Sequence, residues 1–176
     1  MDHVRAIDQI CNDLAVEKTP QWLLAVVGEQ RVYCYWRDRL EAVYRISTAK
    51  NGICQLRDSE GTPLGLHKIT EKIGDGAPWG TVFIGRKSTG KIFTEYADWE
   101  EKGYVTSRIL RLRGLQEGYN SGGNCDSYDR FIYIHGTARE RAIGTPCGRG
   151  CINMLNSDVI ALYRKIAIDS LVLIRE

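Results

Sequence analysis

The chain has 176 residues, a length that fits one compact domain, since single hydrophobic cores readily accommodate chains of this size. Hydrophobic residues make up 43% and charged residues 26%, with a mean hydropathy of -0.29, which excludes a disordered, collagen-like or membrane-spanning chain. The 24 Lys and Arg against 22 Asp and Glu leave a net charge of only +2, and no dense basic run indicates nucleic-acid binding.

The N-terminal segment and the cysteines bear on the compartment. Residues 1–5 include an acid where an export signal would be basic, and the first apolar run, residues 22–27, is too short to span a bilayer. The sequence itself therefore predicts a cytoplasmic chain without a signal peptide or membrane span. The cysteines lack C-x-x-C pairs, which favours reduced thiols over a disulfide framework. They are Cys11, Cys34, Cys54, Cys125, Cys147 and Cys151.

A short amphipathic helix is predicted within residues 1–19, because apolar residues recur every three or four positions until Thr19-Pro20. Runs rich in β-branched and aromatic residues follow, separated by turn residues, and the first three predict an antiparallel meander. The predicted strands are 23–27, 31–36, 40–46, 64–70, 81–86, 108–112, 130–134 and 171–175. A second helix is predicted over 156–166, after a polar cap. The expected fold is one mainly β domain, a sandwich or barrel.

Candidate chemistry concentrates in residues 133–154. His135 is predicted to end a strand and open onto Gly136, so its imidazole would be partly exposed at the rim of a sheet. Cys151 follows two glycines, whose backbone can turn tightly and offer N–H groups to a developing oxyanion. A neighbouring imidazole would turn this thiol into a nucleophile, which should then be alkylated at pH 7 faster than the other five thiols.

Two other interpretations of these residues remain open at this point. His135 could be a strand-end histidine bonded to a carbonyl, and Cys151 a small buried hydrophobic residue. A zinc site is a second alternative, for which Cys125, His135, Cys147 and Cys151 would supply the ligands. His67 alternates with apolar residues in a predicted strand and is interpreted as structural or as a surface residue. The long loop over 114–128 is a candidate functional loop.

These motifs resemble the L,D-transpeptidase catalytic domain, also called the YkuD domain, of bacterial peptidoglycan enzymes. The family pattern is a strand ending in His-Gly, followed after a short loop by Ser/Thr-x-Gly-Cys-x-Arg/Asn. The matching segments are His135-Gly136-Thr137, residues 148–153, residues 46–49 and residues 61–69. Two positions depart from the pattern: Gly148 stands where Ser or Thr is usual, and Asn153 where Arg is frequent. The resemblance covers residues 23–176 and implies an L,D-transpeptidase-like β-sandwich or barrel with an N-terminal helix and one helix after the cysteine.

The resemblance also implies roles for individual residues. Cys151 would attack the bond between the third residue of a peptidoglycan stem, a diamino acid, and the fourth, D-Ala. His135 would move the proton, and the Gly136 carbonyl would orient the imidazole. The N–H groups of Gly150 and Cys151 would hold the oxyanion, while Arg149, Asn153 and Thr137 would contact substrate; no metal and no other cofactor is implied.

The released acyl group would pass to an amine of a second stem, which gives a 3-3 cross-link, or to water, which makes the enzyme an L,D-carboxypeptidase. An inactive muropeptide-binding domain is the remaining alternative. The segment 116–124 is a candidate wall of the acceptor groove. The family implies peptidoglycan stem peptides or muropeptides as partners, covalent inhibition by carbapenems, and a place in the cell envelope or periplasm.

Overall fold

The computed structural model describes residues 2–176, so Met1 of the predicted N-terminal helix lies outside the described part. The strands are β1 (Gln21–Val26), β2 (Arg31–Trp36), β3 (Arg39–Ser47), β4 (Gly65–Ile73), β5 (Thr81–Ile84), β6 (Lys87–Ile92), β7 (Val105–Gly114), β8 (Tyr133–Thr137), β9 (Ile152–Met154) and β10 (Leu171–Arg175). The helices are α1 (His3–Asp13), α2 (Trp99–Lys102) and α3 (Asn156–Lys165).

The ten strands form one sheet in the order β4-β10-β1-β2-β3-β9-β8-β7-β5-β6. A further pairing of β4 with β7 closes eight of these strands into a ring, and β5 and β6 extend it as a hairpin. Most neighbours are antiparallel, including the predicted meander of β1, β2 and β3. Two pairs are parallel, β1 with β10 and β8 with β9. The prediction of a mainly β, barrel-like fold is confirmed.

Apolar side chains fill the inside of the ring, and α3 packs against them through Val159, Leu162 and Tyr163. The outer face of β1 and β10 is covered by α1, which buries Ile7 and Cys11 there. Because burial of each large aliphatic side chain contributes about 1.5–3 kcal/mol, both layers stabilise the closed sheet. The strands that carry the candidate site, β8 and β9, are therefore held from the inside by the core and by α3.

The elements β6, β9 and α2 were not predicted, and three predicted elements have different bounds in the structure. The helix ends at Asp13, before Thr19-Pro20, because Ala15 takes a left-handed backbone with φ +52°. The predicted strand 81–86 ends at Ile84, since Gly85 and Arg86, both with positive φ, form a turn that leads into the unpredicted strand β6. The predicted strand 130–134 begins only at Tyr133, because the left-handed Phe131, φ +56°, interrupts the extended chain.

No helix within residues 2–176 is long and apolar enough to cross a membrane.

Candidate active site

The parallel pair β8 and β9 brings the two candidate residues together. His135 of β8 lies opposite Asn153 of β9, and Cys151 directly precedes β9. Ile134 and Ile152 point into the core of the ring, and the alternation of strand residues places His135 on the other face. The pairing of two short strands therefore sets the position of both the imidazole and the thiol.

The His135 imidazole is fixed on one side and free on the other. Its Nδ1 lies 2.8 Å from the Gly136 carbonyl oxygen, and since that oxygen can only accept, Nδ1 carries the proton. Within residues 2–176, Nε2 makes no hydrogen bond, which leaves its lone pair available. Burial lowers the pKa of His135 to about 4, although the bond to Gly136 opposes this shift. The imidazole is therefore a neutral base at pH 7.

His135 is more deeply placed than its sequence predicts. The strand continues through it to Thr137, and only 4% of the residue is exposed, so the expectation of a partly exposed strand-end histidine is wrong. The physical reason is the pairing of β8 between β7 and β9, which covers the backbone on both sides.

The Cys151 thiol is also neutral. Its Sγ donates to the Phe131 carbonyl oxygen at 3.3 Å and accepts from the Tyr133 N–H at 3.4 Å; no hydrogen bond joins it to His135. Burial raises the pKa of Cys151 to about 11, more than the Tyr133 N–H and the charge of Arg130 lower it. The resting pair is thus thiol and imidazole, not thiolate and imidazolium, and the expectation of an unusually reactive thiol at pH 7 conflicts with this burial.

A cavity of about 230 Å³ joins the candidate residues. Its lining contains five of the predicted catalytic and substrate-contact residues: His135, Thr137, Arg149, Cys151 and Asn153. The other two, Gly136 and Gly150, are their chain neighbours and contribute backbone groups. The lining also includes Cys147 and Gly148, which the sequence pointed to as a zinc ligand and as a departure from the family pattern, and four residues that it missed: Lys102, Gly103, Val105 and Arg139. Arg139 could have been found from its place two residues after the His-Gly-Thr motif.

The loop before Cys151 is held so that its amides stay free. The N–H groups of Cys147 and Gly148 both donate to the Thr48 carbonyl oxygen, at 3.0 and 2.9 Å. Gly150 has φ +104°, a conformation that side chains rarely adopt. In the described chain, the N–H groups of residues 149–151 have no acceptor. Unpaired amides beside a nucleophile are the arrangement that stabilises an oxyanion.

The two departures from the family pattern touch each other. A Cβ added at Gly148 would lie 2.5 Å from Nδ2 of Asn153, too close for any real contact. That amide nitrogen donates to the Ser47 carbonyl oxygen at 3.0 Å and ties β9 to β3. Glycine at 148 therefore makes room for the Asn153 side chain.

Two other residues predicted to contact substrate, Thr137 and Arg149, differ in how far their side chains are held by other groups. Thr137 Oγ1 accepts from the Arg139 N–H at 3.1 Å, which uses one lone pair of this hydroxyl and leaves its O–H able to donate. Arg149 is exposed and lies 3.9 Å from Glu60, a weak surface pair that leaves its guanidinium mobile. Arg130, not singled out by the sequence, donates to the carbonyl oxygens of Gln55 and Gly61 at 2.7 Å and fixes the segment beneath the Cys151 loop.

The zinc alternative fails on geometry. Cys125 Sγ donates to the Gly122 carbonyl oxygen at 3.2 Å in the loop over 114–128 and does not line the cavity of Cys147 and Cys151. Across residues 2–176, no three His, Cys, Asp or Glu side chains are arranged to hold a metal ion.

The predicted groove wall at 116–124 does not line the cavity either. Asn120 Nδ2 donates to the carbonyl oxygens of Leu64 and Leu66 at 3.0 and 3.1 Å, which fastens this loop to β4. His67 bonds Ser127 of the same loop at 2.9 Å and is structural, as predicted.

Solved structures share the fold. L,D-transpeptidase 3 from Mycobacterium tuberculosis, in complex with a faropenem-derived adduct, is 15% identical with a TM-score of 0.55, and the match covers 89% of this chain and 60% of that one. LdtMt1 in complex with imipenem is 11% identical with a TM-score of 0.54, over 89% and 59%. An L,D-transpeptidase from Xylanimonas cellulosilytica is 14% identical with a TM-score of 0.57, over 95% and 68%.

The chain thus spans about three-fifths of the length of the two β-lactam complexes. A search of curated proteins found no match. The family model described as the YkuD, L,D-transpeptidase catalytic domain matches residues 20–174, from the start of β1 to the last strand. The chain belongs to the YkuD family of L,D-transpeptidase catalytic domains.

Proposed function

We propose that this enzyme is a cysteine-dependent peptidoglycan L,D-transpeptidase in which Cys151 is the nucleophile and His135 the base. The observation that carries the proposal is the free Nε2 of His135 in the cavity that also holds the Cys151 thiol, with Nδ1 anchored on Gly136. A base that is neutral, oriented and unpaired on its reacting side is what general-base catalysis requires.

Acylation begins from the neutral pair. Substrate entry breaks the contact of Sγ with Phe131, and the thiol turns towards His135 and transfers its proton to Nε2. Sulfur bonds to the carbonyl carbon of the third stem residue, and the amine of D-Ala leaves with the proton from His135. The products of this half-reaction are a thioester on Cys151, free D-Ala and a neutral imidazole.

The tetrahedral intermediate needs support for its oxygen. The unpaired N–H groups of Gly150 and Cys151, with that of Arg149 beside them, would donate to it. Gly150, at φ +104°, gives the loop a turn that other residues rarely adopt, and the Thr48 carbonyl anchors the start of the loop. Losing one such donor typically lowers kcat by about 10²–10³-fold.

Deacylation completes the cycle. An amine of a second stem gives a proton to His135 and bonds to the thioester carbon, and Cys151 leaves with that proton restored. The product is a 3-3 cross-link. Water in place of the amine would give the carboxypeptidase reaction, and the same residues would serve both.

Carbapenem binding and a cell-wall site of action belong to the same proposal. LdtMt1 has been solved in complex with imipenem and L,D-transpeptidase 3 with a faropenem-derived adduct, and the likeness in fold supports a covalent reaction of such compounds at Cys151 here. The substrates are then stem peptides of the wall, and we place the enzyme's work in the cell envelope.

The test is incubation with a disaccharide-tetrapeptide, with products followed by mass spectrometry. The expected products are dimers lacking one D-Ala, absent with Cys151→Ala. The matched control is Cys147→Ala, since Cys147 is a second thiol in the same cavity and should be dispensable. If tripeptide forms without dimer, the enzyme is an L,D-carboxypeptidase and not a transpeptidase. Loss of activity with Cys147→Ala alone, or no turnover by the wild type, would overturn the proposal, the latter in favour of a binding domain.

A further inference from the structure

We infer that Arg139 is a substrate-binding residue that receives a carboxylate of the donor stem peptide, so that the enzyme discriminates acidic stems from amidated ones. This inference rests on the proposed function and adds a specificity determinant to it. It comes from the charges that line the cavity of His135 and Cys151.

That cavity has a one-sided charge. Lys102, Arg139 and Arg149 line it, and no Asp or Glu does. Lys102 is already paired with Asp98 at 2.9 Å, and Arg149 lies 3.9 Å from Glu60. Arg139 makes no ion pair to any residue among 2–176. Of the three cations that line this cavity, Arg139 is therefore the one most available to bind an anion.

The guanidinium of Arg139 is held by one edge. Its Nε donates to the Glu100 carbonyl oxygen at 3.0 Å, and its two terminal nitrogens have no acceptor in the described structure. Two parallel N–H groups on a planar fork match the two oxygens of a carboxylate. A carboxamide offers one oxygen and a repelling NH₂ group, so the fork distinguishes the two.

The side chain is also pre-positioned. Gly103 has φ +55°, and a Cβ added there would lie 3.1 Å from Cδ and Nε of Arg139, so the arginine stem packs directly on this glycine. The Arg139 N–H donates to Thr137 Oγ1 at 3.1 Å, which sets the turn that follows β8. Little side-chain entropy remains to be lost on binding, which favours affinity.

The ligand's size follows from the cavity. Its volume, about 230 Å³, is below the roughly 300 Å³ at which sites for whole small molecules begin, so it accepts a segment of an extended peptide. A peptide whose scissile carbonyl lies at Cys151 would bring a neighbouring carboxylate into the same cavity. The carboxylate can belong to the side chain of a diaminodicarboxylic third residue or to the terminal residue.

The experiment measures binding of tetrapeptides to the Cys151→Ala enzyme by calorimetry, which needs no turnover. The peptides are the free acid and forms in which each carboxylate in turn is a carboxamide. One carboxamide should bind about 10- to 100-fold more weakly than the acid, as expected for a charge-assisted pair. Adding Arg139→Gln to Cys151→Ala should weaken binding of the free-acid peptide by the same amount, about 10- to 100-fold. It should not weaken binding of that one carboxamide peptide any further. The carboxamide that behaves so identifies which carboxylate is bound.

Arg141→Gln is the matched control, because Arg141 lies two residues on and lines only a neighbouring cavity of about 360 Å³. It should leave all affinities unchanged. Equal weakening of every peptide by Arg139→Gln, no weakening at all, an equal effect of Arg141→Gln, or no binding by any peptide would overturn the inference. Turnover by the wild type with no effect of Arg139→Gln would remove this inference alone and leave the proposed transpeptidase reaction intact.

Discussion

Two histidines of this enzyme are equally buried and differ in what their second nitrogen meets. His67 Nδ1 lies 3.0 Å from the Gly65 carbonyl oxygen and its Nε2 lies 2.9 Å from Ser127 Oγ, so both nitrogens are used. His135 uses only Nδ1, on the Gly136 carbonyl. Burial lowers the pKa of both to about 4. Burial and a shifted pKa are therefore common to both histidines; what distinguishes His135, the proposed base, is a free nitrogen in the cavity that also holds Cys151.

Replacement of each histidine by glutamine should give the largest difference between the two sites. We expect His135→Gln to lower kcat/KM by about 10²–10⁴-fold, the usual contribution of a general base. His67→Gln should leave kcat/KM within a few-fold of wild type and cost about 1–3 kcal/mol in the free energy of unfolding, because buried hydrogen bonds are disturbed. Steady-state kinetics and denaturant unfolding measure the two effects. An active His135→Gln enzyme would contradict the assignment of the base.

The next contrast is between Gly136 and Gly65, whose carbonyl oxygens accept the Nδ1 hydrogen bonds of His135 and His67. A Cβ on Gly136 would lie 2.6 Å from the Thr106 carbonyl oxygen, so Gly136→Ala must shift the carbonyl that orients His135. We expect a loss of about 10- to 100-fold in kcat, since small misplacements of catalytic groups are costly. Gly65→Ala, at φ +99°, should cost about 1–3 kcal/mol of stability and spare the activity of the folded fraction. Equal kinetic losses in both variants would show that Gly136 has no special role.

Thiol reactivity should sharpen the picture of a neutral pair. Burial raises the pKa of Cys151 to about 11, whereas a backbone hydrogen bond from Leu56 and the Ser59 hydroxyl lower that of Cys54. In the free enzyme at pH 7, iodoacetamide should modify Cys54 about tenfold faster than Cys151, because the thiolate is the reacting species. Peptide mapping against time measures both rates. A Cys151 that reacts first would indicate a thiolate–imidazolium pair instead.

The smallest effect concerns protons taken up on unfolding. With pKa values of about 4 in the fold against 6.5 as the reference, both histidines bind protons more readily when unfolded. Their stabilising effect is complete above pH 6.5 and is lost as the pH falls towards 4. His67→Gln should reduce the slope of unfolding free energy in this window by up to about 1.4 kcal/mol per pH unit. An unchanged slope would mean that His67 is not neutral in the fold.

Much of this architecture could be predicted from local sequence. Alternating β-branched residues predicted the meander β1 to β3, and an apolar stripe at helical spacing predicted α3. The polar cap predicted for α3 is wrong, because the N-cap is Leu155, whose side chain makes no capping hydrogen bond. The His-Gly and Gly-Cys motifs located both residues that share the cavity. These features are encoded in neighbouring residues, where period and turn chemistry suffice.

Other features depend on contacts between distant segments. The ring closes because β4 pairs with β7, and no local pattern encodes that pairing. The depth of His135 follows from strands on both sides, and the wall formed by Lys102 and Gly103 comes from a segment with no recognisable motif. The loop at 116–124 carried the glycines of a flexible wall, yet Asn120 fastens it to β4.

Covalent trapping by imipenem tests the central claim most directly. Intact-protein mass spectrometry, followed by peptide mapping, would locate the adduct and measure its rate of formation in wild type, His67→Gln and His135→Gln. We predict one adduct, on Cys151, formed at similar rates in wild type and His67→Gln and at least about 10²-fold more slowly in His135→Gln. An adduct on Cys147 or Cys54, or equal rates in the two histidine variants, would contradict it.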